Sequence, residues 1–216
     1  LKGTVKVGGA KNVAMKVMLA GLLTDEDLVI HNVPMISSVL GTTKIVELLG
    51  AKVAHHNNTL TVSGRNIKRH KVPLEFGGTQ RTAPMFMAPL LARYGRAIVP
   101  NPGGCRIGKR PIDWQVTALE QMGIKIKYKD GYFYAEGKLT GANIKFAKNT
   151  HTGTEMVVLA AVLAAGETTI ENAAEEPEID DLILLLNHMG AQITRKDRTI
   201  QIKGVAKLHG VQFSIM

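Results

Sequence analysis

The chain is predicted to be an α/β protein assembled from three copies of one βαβαββ-type unit, with helices inside and sheets outside, an inside-out α/β barrel. Three observations predict it. A phrase made of an apolar helix-like run, a short strand, a second helix closing on Leu-Gly or Met-Gly, and two further strands occurs three times. The glycines that close the second helices are Gly50, Gly123 and Gly190, so the copies are spaced by 73 and then 67 residues, the length of a small α/β unit. In each copy the first helix is apolar on nearly every side while the second carries an apolar stripe, which places the first in a shared interior.

In order along the chain, the first unit (10–64) has a helix over 13–23, a strand over 28–34, a helix over 39–49 and strands near 50–53 and 59–64. The second (65–141) repeats this with 82–92, 97–102, 112–122, 123–126 and 132–137, and the third (142–204) with 154–165, 168–172, 179–189, 190–193 and 199–204. The second helices are assigned from apolar residues at three- and four-residue steps: Ile112, Val116, Leu119 and Met122, then Ile179, Leu182, Ile183, Leu186 and Met189. Each ends at a glycine, the residue that takes a left-handed backbone without steric cost. The three units are expected to share one core as a single domain over 10–204, with 1–9 and 205–216 as strands that belong to or lead to a second domain.

Composition narrows the function. With 45% apolar and 21% charged residues the chain has enough apolar sequence for a sizeable core. Its longest apolar run, 156–165, is ten residues, well short of the roughly 20 that cross a bilayer as a helix, so no membrane partner is expected. A single cysteine, Cys105, forms no internal disulfide and builds no cysteine zinc site, which fits a reducing cytoplasm. His55-His56 has no carboxylate or thiol at ligand spacing, so neither a metal nor another cofactor is expected. The net charge of +9 asks for an anionic partner. Because the basic residues are spread singly and aromatics are only 5%, nucleic acid is not expected to be that partner.

If the units are equivalent, the residues just before each inner helix meet at one end of the domain, where free N–H groups and the helix dipole attract anions. Those residues are Lys11-Asn12, Gln80-Arg81, and Lys148 with Thr150-His151-Thr152-Gly153. They predict a site for a phosphorylated small molecule. Between a strand and a helix of the second unit lies a loop holding Gly103, Gly104, Cys105, Arg106, Gly108, Lys109, Arg110 and Pro111. Positive neighbours favour a thiolate, so Cys105 is a candidate acid, base or nucleophile.

The stretch 102–111, together with Gly9-Ala10-Lys11-Asn12 and the Asn172-Ala173-Ala174-Glu175-Glu176-Pro177-Glu178-Ile179 segment, resembles the enolpyruvyl transferases of the UDP-N-acetylglucosamine 1-carboxyvinyltransferase family. The resemblance spans essentially the whole chain. It implies transfer of the enolpyruvyl group of phosphoenolpyruvate to the 3-hydroxyl of UDP-N-acetylglucosamine, the first committed step of peptidoglycan precursor synthesis, with release of phosphate. In family terms Lys11 holds the phosphoenolpyruvate phosphate and Asn12 positions the sugar. Arg81 and Arg110 neutralise developing charge, and Cys105 is a general acid and the target of epoxides of the fosfomycin type. Pro111, Ile112, Asp113 and Trp114 lie along the uridine, with Lys148, Thr150 and Gly153 near the nucleotide. Glu176 and Glu178 anchor their loop. Family members have two such domains, so this chain is expected to be one half, nearly inactive alone, its missing partner domain carrying a further carboxylate and arginine. The Gly-Gly-Cys loop argues against the shikimate-pathway relative. Alternatives of another class are a nucleotide-sugar-binding domain without catalysis and an RNA 3′-phosphate cyclase-like domain.

Overall fold

The computed structural model describes residues 2–5, 8–78, 80–102 and 112–216. The predicted loop residues Cys105, Arg110 and Pro111 lie outside the described residues.

Each unit contains the inner helix, the second helix and the three strands of its pattern. The first holds α1 (Lys11–Ala20), continued by a 3-10 turn (Gly21–Leu23), then β1 (Asp27–His31), α2 (Ser37–Leu49), β2 (Lys52–His56) and β3 (Thr59–Ser63). The second begins with a short helix α3 (Leu74–Gly77), followed by a 3-10 turn (Ala83–Phe86), α4 (Met87–Tyr94), β4 (Arg96–Pro100), α5 (Asp113–Gln121), β5 (Lys125–Lys129) and β6 (Tyr132–Glu136). The third contains β7 (Asn143–Lys145), α6 (His151–Ala161), β8 (Glu167–Glu171), α7 (Pro177–His188), β9 (Gln192–Lys196) and β10 (Thr199–Lys203). The expected single helix over 82–92 is a 3-10 turn followed by a short α-helix: Pro84 and Pro89 carry no backbone N–H, so the regular ladder does not run through them.

The strands form three separate open sheets, ordered β11-β1-β3-β2, β4-β6-β5 and β7-β8-β10-β9, where β11 is Gln212–Ser214. The segment 205–216, expected to belong to or lead to a second domain, packs on the first unit. β11 pairs in parallel with β1, Val29 opposite Gln212, and Leu208, Phe213 and Ile215 are buried. The reason is the repeat itself. In the third unit β7 flanks β8 in parallel, and in the second a bridge from Lys71 to Ile98 does the same for β4. In the first unit the C-terminal strand takes that place beside β1. The asparagines that end the strands close the equivalence: Asn32 and Asn172 adopt φ of 62° and 59°. Their side-chain amides donate to Ile215 O (3.2 Å) and Phe146 O (2.7 Å), each just past the flanking strand.

Gly50, Gly123 and Gly190 have φ of 106°, 91° and 98°, as the helix stops require. A Cβ on Gly50 would lie 2.7 Å from Asn66 O. One core cluster runs through all three units, with α1, α4 and α6 innermost. α2 and α7 pack on α1, and α5 packs on α6. Burying these apolar faces contributes on the order of 25 cal/mol per Å², and the common core fixes the helix starts relative to one another.

Candidate functional site

The starts of the inner helices meet. A cavity of about 530 Å³ is lined by Lys11, Asn12, Met15 and Lys16 of α1, Ser38 of α2, Gln80 to Thr82 and Met85 of the second unit, and His151 and Thr152 of α6. Lys11 and Arg81 are exposed at its rim, and Asn12, Gln80, His151 and Thr152 are half-buried. Ala10, the residue capping α1, offers no side-chain hydrogen bond, so the first N–H groups of that helix remain available to an anion. The α6 terminus differs: Gly153 N–H donates to Thr150 Oγ1 at 3.2 Å, so Thr150 serves as a cap. The Arg81 segment is tied to α2 by Thr42 Oγ1 and Thr82 Oγ1, 3.3 Å apart, and by Gly41, where any Cβ would collide with the Gln80 amide.

Beneath this polar rim lies a buried charge cluster. Lys16 Nζ is 3.1 Å from Glu155 Oε2, and the two side chains are 5% and 1% exposed. His151 Nε2 lies 3.2 Å from Glu155 Oε1. That contact is off the line of an ideal hydrogen bond, yet the carboxylate beside it raises the His151 pKa above its ordinary value, first as acceptor and then as charge. Burial and Lys16 oppose the rise, and Glu176 adds to it. His151, its pKa raised, thus stands at the cavity beside Lys11 and Arg81.

Of the sequence-predicted residues, the structure brings Lys11, Asn12 and Arg81 into one cavity. Ile112, Asp113 and Trp114 sit at the start of α5, outside the cavity wall but tied to it: Gln115 Nε2 donates to Thr152 Oγ1 at 3.1 Å. Trp114 is 40% exposed. Lys148 is exposed in the turn before α6, Thr150 caps that helix, and Gly153 is buried, where a Cβ would crowd Thr150. None of these three forms the cavity wall. Cys105, Arg110 and Pro111 are outside the described residues. Glu176 has a buried carboxylate oxygen near His151, without a hydrogen-bond partner among the described residues.

Lys16, Glu155 and the weight of His151 escape a reading by repeats. The available signal was one lysine and one glutamate, each alone in the apolar stretch of an inner helix, with His151 four residues before Glu155. Among the described residues no group of three or more His, Cys, Asp or Glu side chains is arranged to hold a metal, and no helix is long and apolar enough to cross a membrane.

Comparison with known proteins gives the site its context. The family model of EPSP synthase (3-phosphoshikimate 1-carboxyvinyltransferase) matches residues 1–216. Proteins named UDP-N-acetylglucosamine 1-carboxyvinyltransferase from Acidobacterium capsulatum and Acinetobacter baylyi are 44% and 41% identical over 100% of this chain. The chain spans about half the length of these curated relatives, 51% and 52%. Among solved structures, the enolpyruvyl transferase NikO from Streptomyces tendae superposes with a TM-score of 0.88 at 20% identity, covering 100% of this chain and 52% of that one. EPSP synthase from Acinetobacter baumannii gives 0.80 at 18% identity, covering 99% and 49%. At those identities the likeness is one of fold.

Proposed function

The chain belongs to the EPSP synthase (3-phosphoshikimate 1-carboxyvinyltransferase) family, and from that membership and the cavity we propose that it forms one half of an enzyme transferring the enolpyruvyl group of phosphoenolpyruvate to the 3-hydroxyl of UDP-N-acetylglucosamine. The observation that carries the proposal is the meeting of Lys11, Arg81 and His151, one from each unit, at a single cavity. Lys11, Arg81 and an imidazole of raised pKa, beside a helix start without a side-chain cap, suit a small ligand rich in phosphate and carboxylate. The name of these relatives supports the sugar-nucleotide acceptor over a shikimate acceptor.

In this reading the acceptor hydroxyl oxygen bonds to C2 of phosphoenolpyruvate while C3 gains a proton, giving a tetrahedral intermediate. Loss of phosphate from C2 and of a proton from C3 restores the enol ether. Lys11 holds the phosphate, Asn12 orients the sugar, and Arg81 with Arg110 offsets charge as it develops. Cys105 supplies the proton to C3 or to the departing phosphate. Pro111, Ile112, Asp113 and Trp114 flank the uridine, and Lys148, Thr150 and Gly153 border the nucleotide. The other half of the enzyme supplies the base for the sugar hydroxyl and a further cation. The reaction belongs to peptidoglycan precursor synthesis in the cytoplasm and uses no cofactor.

The test follows Trp114, the single tryptophan. Titration with UDP-N-acetylglucosamine should change its fluorescence saturably, and Lys11→Ala or Arg81→Ala should weaken the response at least tenfold. A response unaltered by either variant, or none at any concentration, would remove the assignment. Labelling of Cys105 by fosfomycin, followed by mass spectrometry against Cys105→Ala, tests the thiol separately.

A further inference from the structure

A second groove lies apart from the cavity above. It has a volume of about 840 Å³, and its lining includes Lys68, Arg69, His70, Lys71, Arg96 and Tyr132, with Glu75 its one acidic residue. It lies where residues 70–72 add a short parallel bridge to β4: Ile98 N–H donates to His70 O, and Val72 N–H donates to Ile98 O. Next to it is the outer face of β4-β6-β5. Ala97, Val99 and Ala135 point to the core, so strand alternation turns Arg96, Ile98, Tyr132, Tyr134, Lys125, Lys127 and Lys129 outward. Register sets Lys127 beside Tyr134 and Lys129 beside Tyr132, and Lys71 Nζ lies 4.6 Å from the Tyr132 ring centroid.

The repeat provides an internal control. The outer face of the first sheet carries Lys52 and Asp27, and that of the third balances Lys145, Lys196 and Lys203 against Glu167 and Glu171, with Lys145 paired to Glu171 at 3.0 Å. The same scaffold therefore needs neither the cations nor the rings. Yet all four tyrosines of the chain, Tyr94, Tyr128, Tyr132 and Tyr134, are in or beside the second sheet. Among the described residues Lys68, Lys71, Arg96, Lys125 and Lys127 have no acidic partner at ion-pair distance; Glu136 stands between Arg96 and Lys125 in register. Basic residues that the sequence spreads singly, the ground for not expecting nucleic acid, are gathered by the fold around rings.

We propose that this face and its groove bind single-stranded nucleic acid, phosphates meeting the lysines and arginines and bases stacking on the tyrosines. An anionic membrane would need the charge but not tyrosines set into a sheet. The site uses none of the residues assigned to enolpyruvyl transfer, so the two proposals stand or fall separately.

The test is fluorescence anisotropy of a labelled oligouridylate of about a dozen nucleotides, titrated with the 216-residue chain at several salt concentrations. Binding should weaken with salt, with a log–log slope of about −0.7 per phosphate engaged. Lys71→Glu/Lys127→Glu should reduce affinity at least tenfold and flatten the slope. Lys196→Glu/Lys203→Glu, which changes net charge equally on the third sheet, should change it less than twofold. Tyr134→Leu should lower affinity about tenfold with the slope retained, a sign of stacking. Equal losses from both charge variants would reduce the effect to net charge and overturn the proposal. So would the absence of binding at low salt, or binding to phosphatidylserine vesicles without binding to the oligonucleotide. Thermal unfolding of each variant confirms that it is folded.

Discussion

Replacing Lys16 by Met removes the charge nearest a carboxylate that has almost no contact with water. Glu155 is 1% exposed at its side chain and Lys16 5%, at 3.1 Å, so solvent cannot take over the vacated role. Breaking such a pair from one side costs about 3–5 kcal/mol, because the remaining charge stays buried. His151, 3.2 Å from the other carboxylate oxygen and with a raised pKa, remains beside the carboxylate, which places the expected loss near 3 kcal/mol, the low end of that range. Urea denaturation of Lys16→Met at pH 7 measures it. The companion Lys16→Met/Glu155→Gln removes both members of the buried pair and should recover most of the loss, since a buried ion pair contributes little beyond what a neutral replacement does. A single variant within about 1 kcal/mol of the parent, or a double variant no better than the single, would refute the argument that Lys16 and Glu155 form a buried ion pair.

Three other outcomes are expected. His151 has a raised pKa in the folded chain, so its contribution is complete below the ordinary histidine pKa and fades as pH rises through the raised value. The melting temperature of the parent should therefore exceed that of His151→Gln most at pH 6 and converge with it at alkaline pH; an offset independent of pH would contradict this. Gly50→Ala combines a φ of 106° with a Cβ 2.7 Å from a backbone oxygen, whereas Gly131→Ala, at φ 78°, meets nothing within 4 Å. The first should cost about 2 kcal/mol or more and the second about 1, with equal costs arguing against the close approach. Thr154 Oγ1 donates to Thr150 O at 2.9 Å and accepts from Ala174 N–H at 3.0 Å; Thr154→Val should cost about 1–3 kcal/mol in urea denaturation, and a neutral result would remove that link between α6 and the following turn.

The inner helices were legible because Val157, Val158, Leu159, Ala160 and their neighbours are buried on every side, and a helix without a polar face has nowhere to go but inside. The glycine stops were legible because a left-handed residue selects glycine directly. The pairing of the C-terminal strand was not. Its partner, Val29, lies far upstream of Gln212, and no local pattern announces a pairing at that separation. The split of the second inner helix was announced by Pro84 and Pro89, but the strong apolar run around them dominates a reading by period.

At the site, repetition supplied Lys11 and Arg81, because equivalent places in equivalent units must converge. It did not supply the sharing of Glu155 between Lys16 and His151, which depends on how α1 and α6 face each other across the core. The same limit applies to the basic face. Lys71, Arg96 and Lys127 become neighbours only once three strands and a bridge are laid side by side.

The claim underlying the functional account is that three helix starts form one anion site. Heteronuclear NMR of the labelled chain, titrated with UDP-N-acetylglucosamine and phosphoenolpyruvate, tests it most directly. The account predicts that the amides of Lys11 and Asn12, of Arg81 and Thr82, and of His151 and Thr152 shift together and fit one dissociation constant. Shifts that follow separate constants, or that leave any of the three pairs unmoved at saturation, would contradict it.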